Sequence, residues 1–150
     1  DDAYLITRGL RTLDVRLDKH QDNAMKVAAF LSKNKKIKLL YPYKKGSLNY
    51  RMWKKYYSGA SGLMGLMIKT KNKNSVIKFV NSLKLFGYGY SWGGFESLVL
   101  LQELRTNTKY TQTRRYFRFA KDEHIVRLHI GLEDPKDLIA DLRRCLKFIK

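Results

Sequence analysis

Apolar residues recur at Leu10, Leu13, Leu17, Ala24, Val27, Ala28 and Leu31, in steps of three, four and seven. That is the period of one helix face. The pattern predicts one helix from about Tyr4 to Ser32, roughly 40 Å long at 1.5 Å per residue. A helix of that length in a chain of 150 residues is expected to lean on something outside the chain. Between Leu17 and Ala24 the stripe turns polar through Asp18, Lys19, His20, Gln21, Asp22 and Asn23. This predicts a kink or a face turned toward another domain, with His20 as a surface histidine.

Further along, Lys36 to Tyr41 reads as a short strand stopped by Pro42. Pro42 to Gly62 is the most irregular part. Within it, Tyr50-Arg51-Met52-Trp53-Lys54-Lys55-Tyr56-Tyr57 reads as a short amphipathic helix anchored by Trp53, and Gly59 to Gly62 as a turn into a strand. Leu63 to Lys69 is apolar on both faces, hence central, and Lys69 to Asn74 is a solvated turn. Asn74 or Ser75 is expected to cap a helix with the stripe Val76, Ile77, Phe79, Val80 and Leu83. Ser97 to Leu101 reads as another strand, and Arg105 to Asp122 as an exposed connection. Ile125 to Leu132 is the clearest strand: Val126, Leu128 and Ile130 share one face, while Ile125, Arg127 and His129 share the other. Asp134 with Pro135 opens a final helix burying Leu138, Ile139, Leu142, Cys145, Leu146 and Ile149. The expected fold is an α/β sandwich in a single domain, 1–150, with a small, mostly antiparallel sheet, helices on one face, and a long N-terminal helix in front.

Composition narrows the class. An apolar fraction of 44% with 13% aromatics argues for a packed globule. No apolar run is long enough to span a membrane. Asp1-Asp2-Ala3-Tyr4 does not resemble a signal peptide, and a single cysteine, Cys145, permits no internal disulfide. Both fit a cytoplasmic protein. Cys145 falls on the apolar stripe of its helix and reads as a buried, inert thiol. The net charge of +18 raises nonspecific affinity for nucleic acid at low salt. Its Lys-rich mixture with Asn, Ile and Tyr is what AT-rich codon usage produces without any selected partner.

Two stretches carry the chemistry. In Gly87-Tyr88-Gly89-Tyr90-Ser91-Trp92-Gly93-Gly94-Phe95-Glu96-Ser97, glycines alternate with large aromatics. Such a segment bends sharply and exposes its amides. Its aromatics can wall a pocket while Ser91 and peptide N–H groups face a polar ligand. The second stretch, Ile125 to Asp134, sets Arg127 in an apolar run. A guanidinium matches a carboxylate with two parallel hydrogen bonds, so the two stretches are expected to meet and bind a carboxylate.

Arg8-Gly9-Leu10-Arg11-Thr12-Leu13, with Arg16-Leu17 and His20, resembles the start of the C-terminal domain of the cystathionine β-lyases, which belong to the pyridoxal-phosphate-dependent enzymes of Cys/Met metabolism. The resemblance continues through Trp53-Lys54 and Ser58 to Leu63. It is strongest at Tyr90 to Leu98 and at Ile125 to Asp134, and covers nearly the whole chain. Trp92 after Ser91 resembles the bacterial β-lyases more than the γ-synthases and γ-lyases. The resemblance implies the C-terminal domain fold of fold-type I pyridoxal-phosphate enzymes. It also implies that Arg127 holds the substrate α-carboxylate and that Tyr90, Ser91 and Trp92 line the substrate side, Ser91 also near the cofactor lysine. The implied reaction turns cystathionine into homocysteine, pyruvate and ammonia.

No lysine of this chain sits in that family's cofactor-lysine motif. The resemblance therefore implies a missing N-terminal domain, in the same or a separate chain, that carries pyridoxal phosphate. This chain alone is expected to hold no cofactor or metal, to supply no catalytic residue and to be inactive. An uncovered first helix further suggests a homo-oligomer. Two other readings compete: a basic nucleic-acid-binding module using the Tyr50–Tyr57 and Arg114–Phe119 clusters, and a noncatalytic remnant or regulator that pairs with an intact lyase.

Overall fold

The computed structural model describes residues 1–47, 49–102, 120 and 122–149. The described helices are α1 (Asp2–Leu10), α2 (Leu13–Leu31), α3 (Tyr50–Tyr56), α4 (Lys73–Asn81) and α5 (Pro135–Leu146). The strands are β1 (Ile37–Leu40), β2 (Leu63–Lys69), β3 (Gly87–Tyr88), β4 (Leu98–Gln102) and β5 (Glu123–His129). They form one sheet in the order β1-β2-β5-β4-β3. Every pairing is antiparallel except β3 with β4, which is parallel. β3 is not expected from the sequence, because two residues carry no periodicity.

Side-chain alternation sorts the sheet into a packed face and an open one. Met64, Leu66 and Ile68 of β2 join Val126 and Leu128 of β5 in the core. Against them lie Ala24, Val27, Ala28 and Leu31 of α2, Val76, Phe79 and Val80 of α4, and Leu138, Leu142 and Cys145 of α5. Each such aliphatic side chain contributes about 1.5–3 kcal/mol when fully buried. The helices therefore cover one face, as the pattern predicts. On the other face Arg127 has Gly65 and Leu100 as its register partners across β2 and β4. Leu100 is buried there but lies outside the core cluster.

The first helix departs from expectation. It is two helices, interrupted at Arg11-Thr12. Gly9 weakens the helix, Thr12 takes φ −121° and ψ 14°, and Arg16 Nη2 donates 2.6 Å to the carbonyl of Gly9. A side chain from the next turn thus satisfies a carbonyl that a continuous helix would have paired. α1 buries nothing: Tyr4, Leu5, Ile6 and Leu10 are all at least 60% exposed.

α2 runs unbroken through the polar stretch, whose His20, Gln21 and Asn23 turn into this chain while Asp18, Lys19 and Asp22 are exposed. His20 is buried, not at the surface. Its Nδ1 lies 2.7 Å from the carbonyl of Ile130. Asn23 Nδ2 donates to the carbonyls of Gly131 (3.0 Å) and Glu133 (2.8 Å), and Gln21 Oε1 accepts from the Ala60 amide at 2.7 Å. These side chains pin α2 to the irregular backbone that precedes β2 and follows β5.

Smaller features follow local chemistry. α3 forms as expected; Trp53 packs edge-on to Tyr43 (4.5 Å) and stacks on Tyr50 (5.8 Å), so part of the basic-aromatic cluster is used internally. Asn72, not Asn74 or Ser75, is the N-cap residue of α4. Asp134 caps α5 through Lys136 N at 2.7 Å, with Pro135 behind it. Buried Asp141 accepts from the amides of Lys84 (2.8 Å) and Leu85 (2.9 Å) and pairs with Arg144, tying α5 to the segment that leads into β3. The Arg114–Phe119 cluster, and the Arg105–Asp122 connection apart from Ala120 and Asp122, lie outside the described residues. Among the described residues no helix is long and apolar enough to cross a membrane.

Candidate functional site: a glycine-aromatic corner around Arg127

The alternation of β5 turns Arg127 toward the open face, and β3 brings the glycine-aromatic bend to the same place. The amide of Gly87 donates to Ser97 O (3.0 Å) and that of Gly89 to Val99 O (3.3 Å). The chain therefore leaves β3, loops out, and returns into β4 beside its own start. Gly93 makes the turn at φ +85°, and a Cβ placed on it would meet nothing within 4 Å; conformation, not space, requires glycine there.

Arg127 and the bend do meet. Its Nη2 donates to the carbonyls of Tyr90 (2.6 Å), Gly89 (3.2 Å) and Ser91 (3.3 Å). The bend thus presents carbonyls to the guanidinium, where the sequence suggested amide donors alongside it. Three acceptors fix one nitrogen, while Nε and Nη1 donate to no described residue. The arginine is half-buried. Ser91 is exposed, as are Tyr90 (78%) and Trp92 (64%).

Two supports behind the corner went unassigned from the sequence. In the first, Glu133 Oε1 accepts from Ser97 N (2.6 Å) and Oε2 from Ser97 Oγ (2.8 Å), while Ser97 Oγ accepts from Gly131 N (2.8 Å). Leu132 N adds a bond to Phe95 O at 2.8 Å. Gly131 must be glycine because a Cβ would strike Phe95 O and the Glu133 carboxylate. The second is His129, 2% exposed. Its Nε2 lies 3.1 Å from both Gly93 N and Gly94 O, and its ring is 5.1 Å from that of His20. Burial lowers its pKa below the usual histidine value; Gly94 and Glu133 oppose the shift, and His20 and Arg127 add to it. The signal for both was present: His129 shares the Arg127 face of β5, and Ser97 and Glu133 close the two chemistry-bearing stretches.

A five-stranded mixed sheet, helices on one face and an arginine corner on the other, puts the chain in the α/β class. Residues 1–147 match the family described as Cys/Met metabolism PLP-dependent enzyme, and the chain belongs to that family. It is 38% identical over 144 residues to the cystathionine beta-lyase of Escherichia coli (strain K12), covering 95% of this chain and 36% of that protein. It is 39% identical over 147 residues to the L-alanine/L-glutamate racemase of Wolbachia pipientis wMel, covering 97% and 35%. Among solved structures it resembles cystathionine gamma synthase from Xanthomonas oryzae pv. oryzae in complex with aminoacrylate and cysteine, with TM-score 0.83 and 30% identity, covering 99% of this chain and 38% of that one. The chain thus spans just over a third of the length of its curated relatives. A lyase, a racemase and a synthase among these names leave the reaction to be argued from the site.

The described residues do not fit a covalent seat for pyridoxal phosphate. An imine-forming lysine is typically desolvated, and every described lysine is exposed except the half-buried Lys44. They also include no cluster of three or more His, Cys, Asp or Glu able to hold a metal.

Proposed function

We propose that this chain is the substrate-side domain of a pyridoxal-phosphate-dependent carbon–sulfur β-lyase, which with water splits cystathionine into homocysteine, pyruvate and ammonia. The observation that carries the proposal is the half-satisfied guanidinium of Arg127. One nitrogen is locked by three carbonyls, and the remaining donors bond no described residue and can take a carboxylate in the bidentate manner. Locking the fork in advance removes much of the rotamer freedom that ligand binding would otherwise have to freeze.

In this reading Arg127 takes the α-carboxylate of the amino acid and sets its orientation. Tyr90, Ser91 and Trp92 border the same corner and restrict where the rest of the substrate lies. The relative named as a β-lyase, together with Trp92 following Ser91, favours β-cleavage among the family's reactions. Bond cleavage is left to the part of the enzyme that seats the cofactor, in the same polypeptide or a partner.

The test is Arg127→Ala in the enzyme assembled with its cofactor-bearing part. Losing two charge-assisted bonds lowers kcat/KM for cystathionine by about 10²–10³-fold, and Arg127→Lys recovers only part because an ammonium lacks the fork. A change below threefold for Arg127→Ala refutes the carboxylate role. Racemisation of alanine at a higher kcat/KM than cystathionine cleavage refutes the β-lyase assignment.

A further inference from the structure

We propose that His129 is a positioning residue for the substrate wall: as a neutral imidazole it clamps the Gly93–Gly94 turn, and protonation releases that turn and Trp92 directly in front of it. The inference rests on the reading of Arg127, Tyr90, Ser91 and Trp92 as the substrate side.

The turn offers His129 one donor and one acceptor. Gly94 O lies 3.1 Å from Nε2; the Gly93 amide, 3.1 Å from Nε2 and 3.5 Å from Nδ1, points at the face of the ring between them. A neutral ring with its proton on Nε2 donates to Gly94 O and offers its electron-rich face to the Gly93 N–H. An imidazolium carries its positive charge across that face, so the Gly93 N–H dipole would be repelled. Gly93 sits at the positive-φ apex of the bend, directly after Trp92 and two residues after Ser91, and little else holds the apex: a Cβ on Gly93 or Gly94 would meet nothing within 4 Å.

The surroundings keep the ring neutral. It is 2% exposed. His20 faces it from α2, 5.1 Å away between ring centres. Arg127 lies two residues along β5, and Glu133 follows the strand; of these neighbours only Glu133 favours the cation. From β2 and β4 its register partners are Leu63 and Leu98, neither titratable. The Gly62 turn approaches the ring so closely that a Cβ there would lie 3.1 Å from Cε1 and Nδ1, which leaves the imidazole little room to swing away.

Two measurements test the proposal. In the first, ¹⁵N amide resonances of Gly93 and Gly94 in the full chain are followed from pH 8 downward. Both should move together with a midpoint below about 6.5, the ordinary histidine value, and stay flat in His129→Gln, which keeps a donor and an acceptor but does not titrate. In the second, kcat/KM for cystathionine is profiled in the enzyme assembled with its cofactor-bearing part. The wild type should show an acid limb at the same midpoint, carried by a KM rise of about tenfold, the size of one lost hydrogen bond; His129→Gln should remove the limb, and His129→Ala should raise KM at every pH. Static glycine amides in the wild type, or a transition that persists in His129→Gln, overturn the clamp whatever Arg127 does. A flat Arg127→Ala result with a normal glycine transition instead sinks the substrate-side reading and leaves the clamp standing.

Discussion

Glu133 is the joint between the two chemistry-bearing stretches, and its removal can be sized from its contacts. Glu133→Ala deletes two bonds to a carboxylate, from Ser97 N at 2.6 Å and Ser97 Oγ at 2.8 Å. Hydrogen bonds to a charged group are worth about 1.5–3 kcal/mol each. Glu133 is half-buried, so the lower figure applies and the expected loss is about 3 kcal/mol. For a chain of this size that is roughly 9 °C in Tm. Glu133→Gln separates charge from shape. Its carbonyl can still accept from Ser97 N, but its NH₂ meets a hydroxyl that already accepts from Gly131 N at 2.8 Å. Ser97, 1% exposed, is then left with a proton and no acceptor, at a cost of about 1–2 kcal/mol. Thermal unfolding followed by circular dichroism should rank wild type above Gln above Ala. An Ala variant within 1 °C of wild type, or a Gln variant as unstable as Ala, would show that the joint is held by packing and not by these bonds.

Three further outcomes follow. Cys145 is fully buried, its thiol pKa is raised by that burial, and Sγ lies 3.1 Å from Ser82 O, so a thiol reagent at neutral pH should label it only after denaturant is added; rapid labelling of native protein would contradict its place in the core. Asp141→Ala leaves the Lys84 and Leu85 amides without their acceptor, and a urea titration should register a loss of about 2 kcal/mol; an unchanged midpoint would mean water replaces the carboxylate without cost. This chain alone, mixed with pyridoxal phosphate, should develop no stable imine absorbance that borohydride can fix, because none of its described lysines is buried; a specific adduct at one lysine would refute that.

Much of the architecture was legible because period and face agree. Leu63–Lys69 and the alternation through Val126, Arg127 and Leu128 appear as read, since a strand's two-residue repeat assigns faces without tertiary knowledge. The Asp134-Pro135 helix start is local chemistry and also appears as read. What failed depended on partners distant in sequence. His20 looked like a surface residue because a polar side chain suggests water; its partner is a carbonyl 110 residues away. The break after Leu10 was hidden because the leucine stripe runs straight through it, while the deciding groups are Gly9 and the Arg16 side chain. At the site, the meeting of Arg127 with the bend could be anticipated from residue types. That the bend would turn its carbonyls toward the arginine could not, because it follows from β3, a two-residue strand with no signature of its own.

The strict alternation of β5 also limits how the gene can change. Adding or deleting one codon between Glu123 and Arg127 would shift the register by one, drive the guanidinium into the core beside β2, and push Leu128 onto the open face. Even-numbered changes would keep the cation outside, and changes upstream of the strand would leave its register alone. Length variation among homologues should therefore gather before Glu123, and the stretch from Arg127 to Glu133 should keep one fixed spacing.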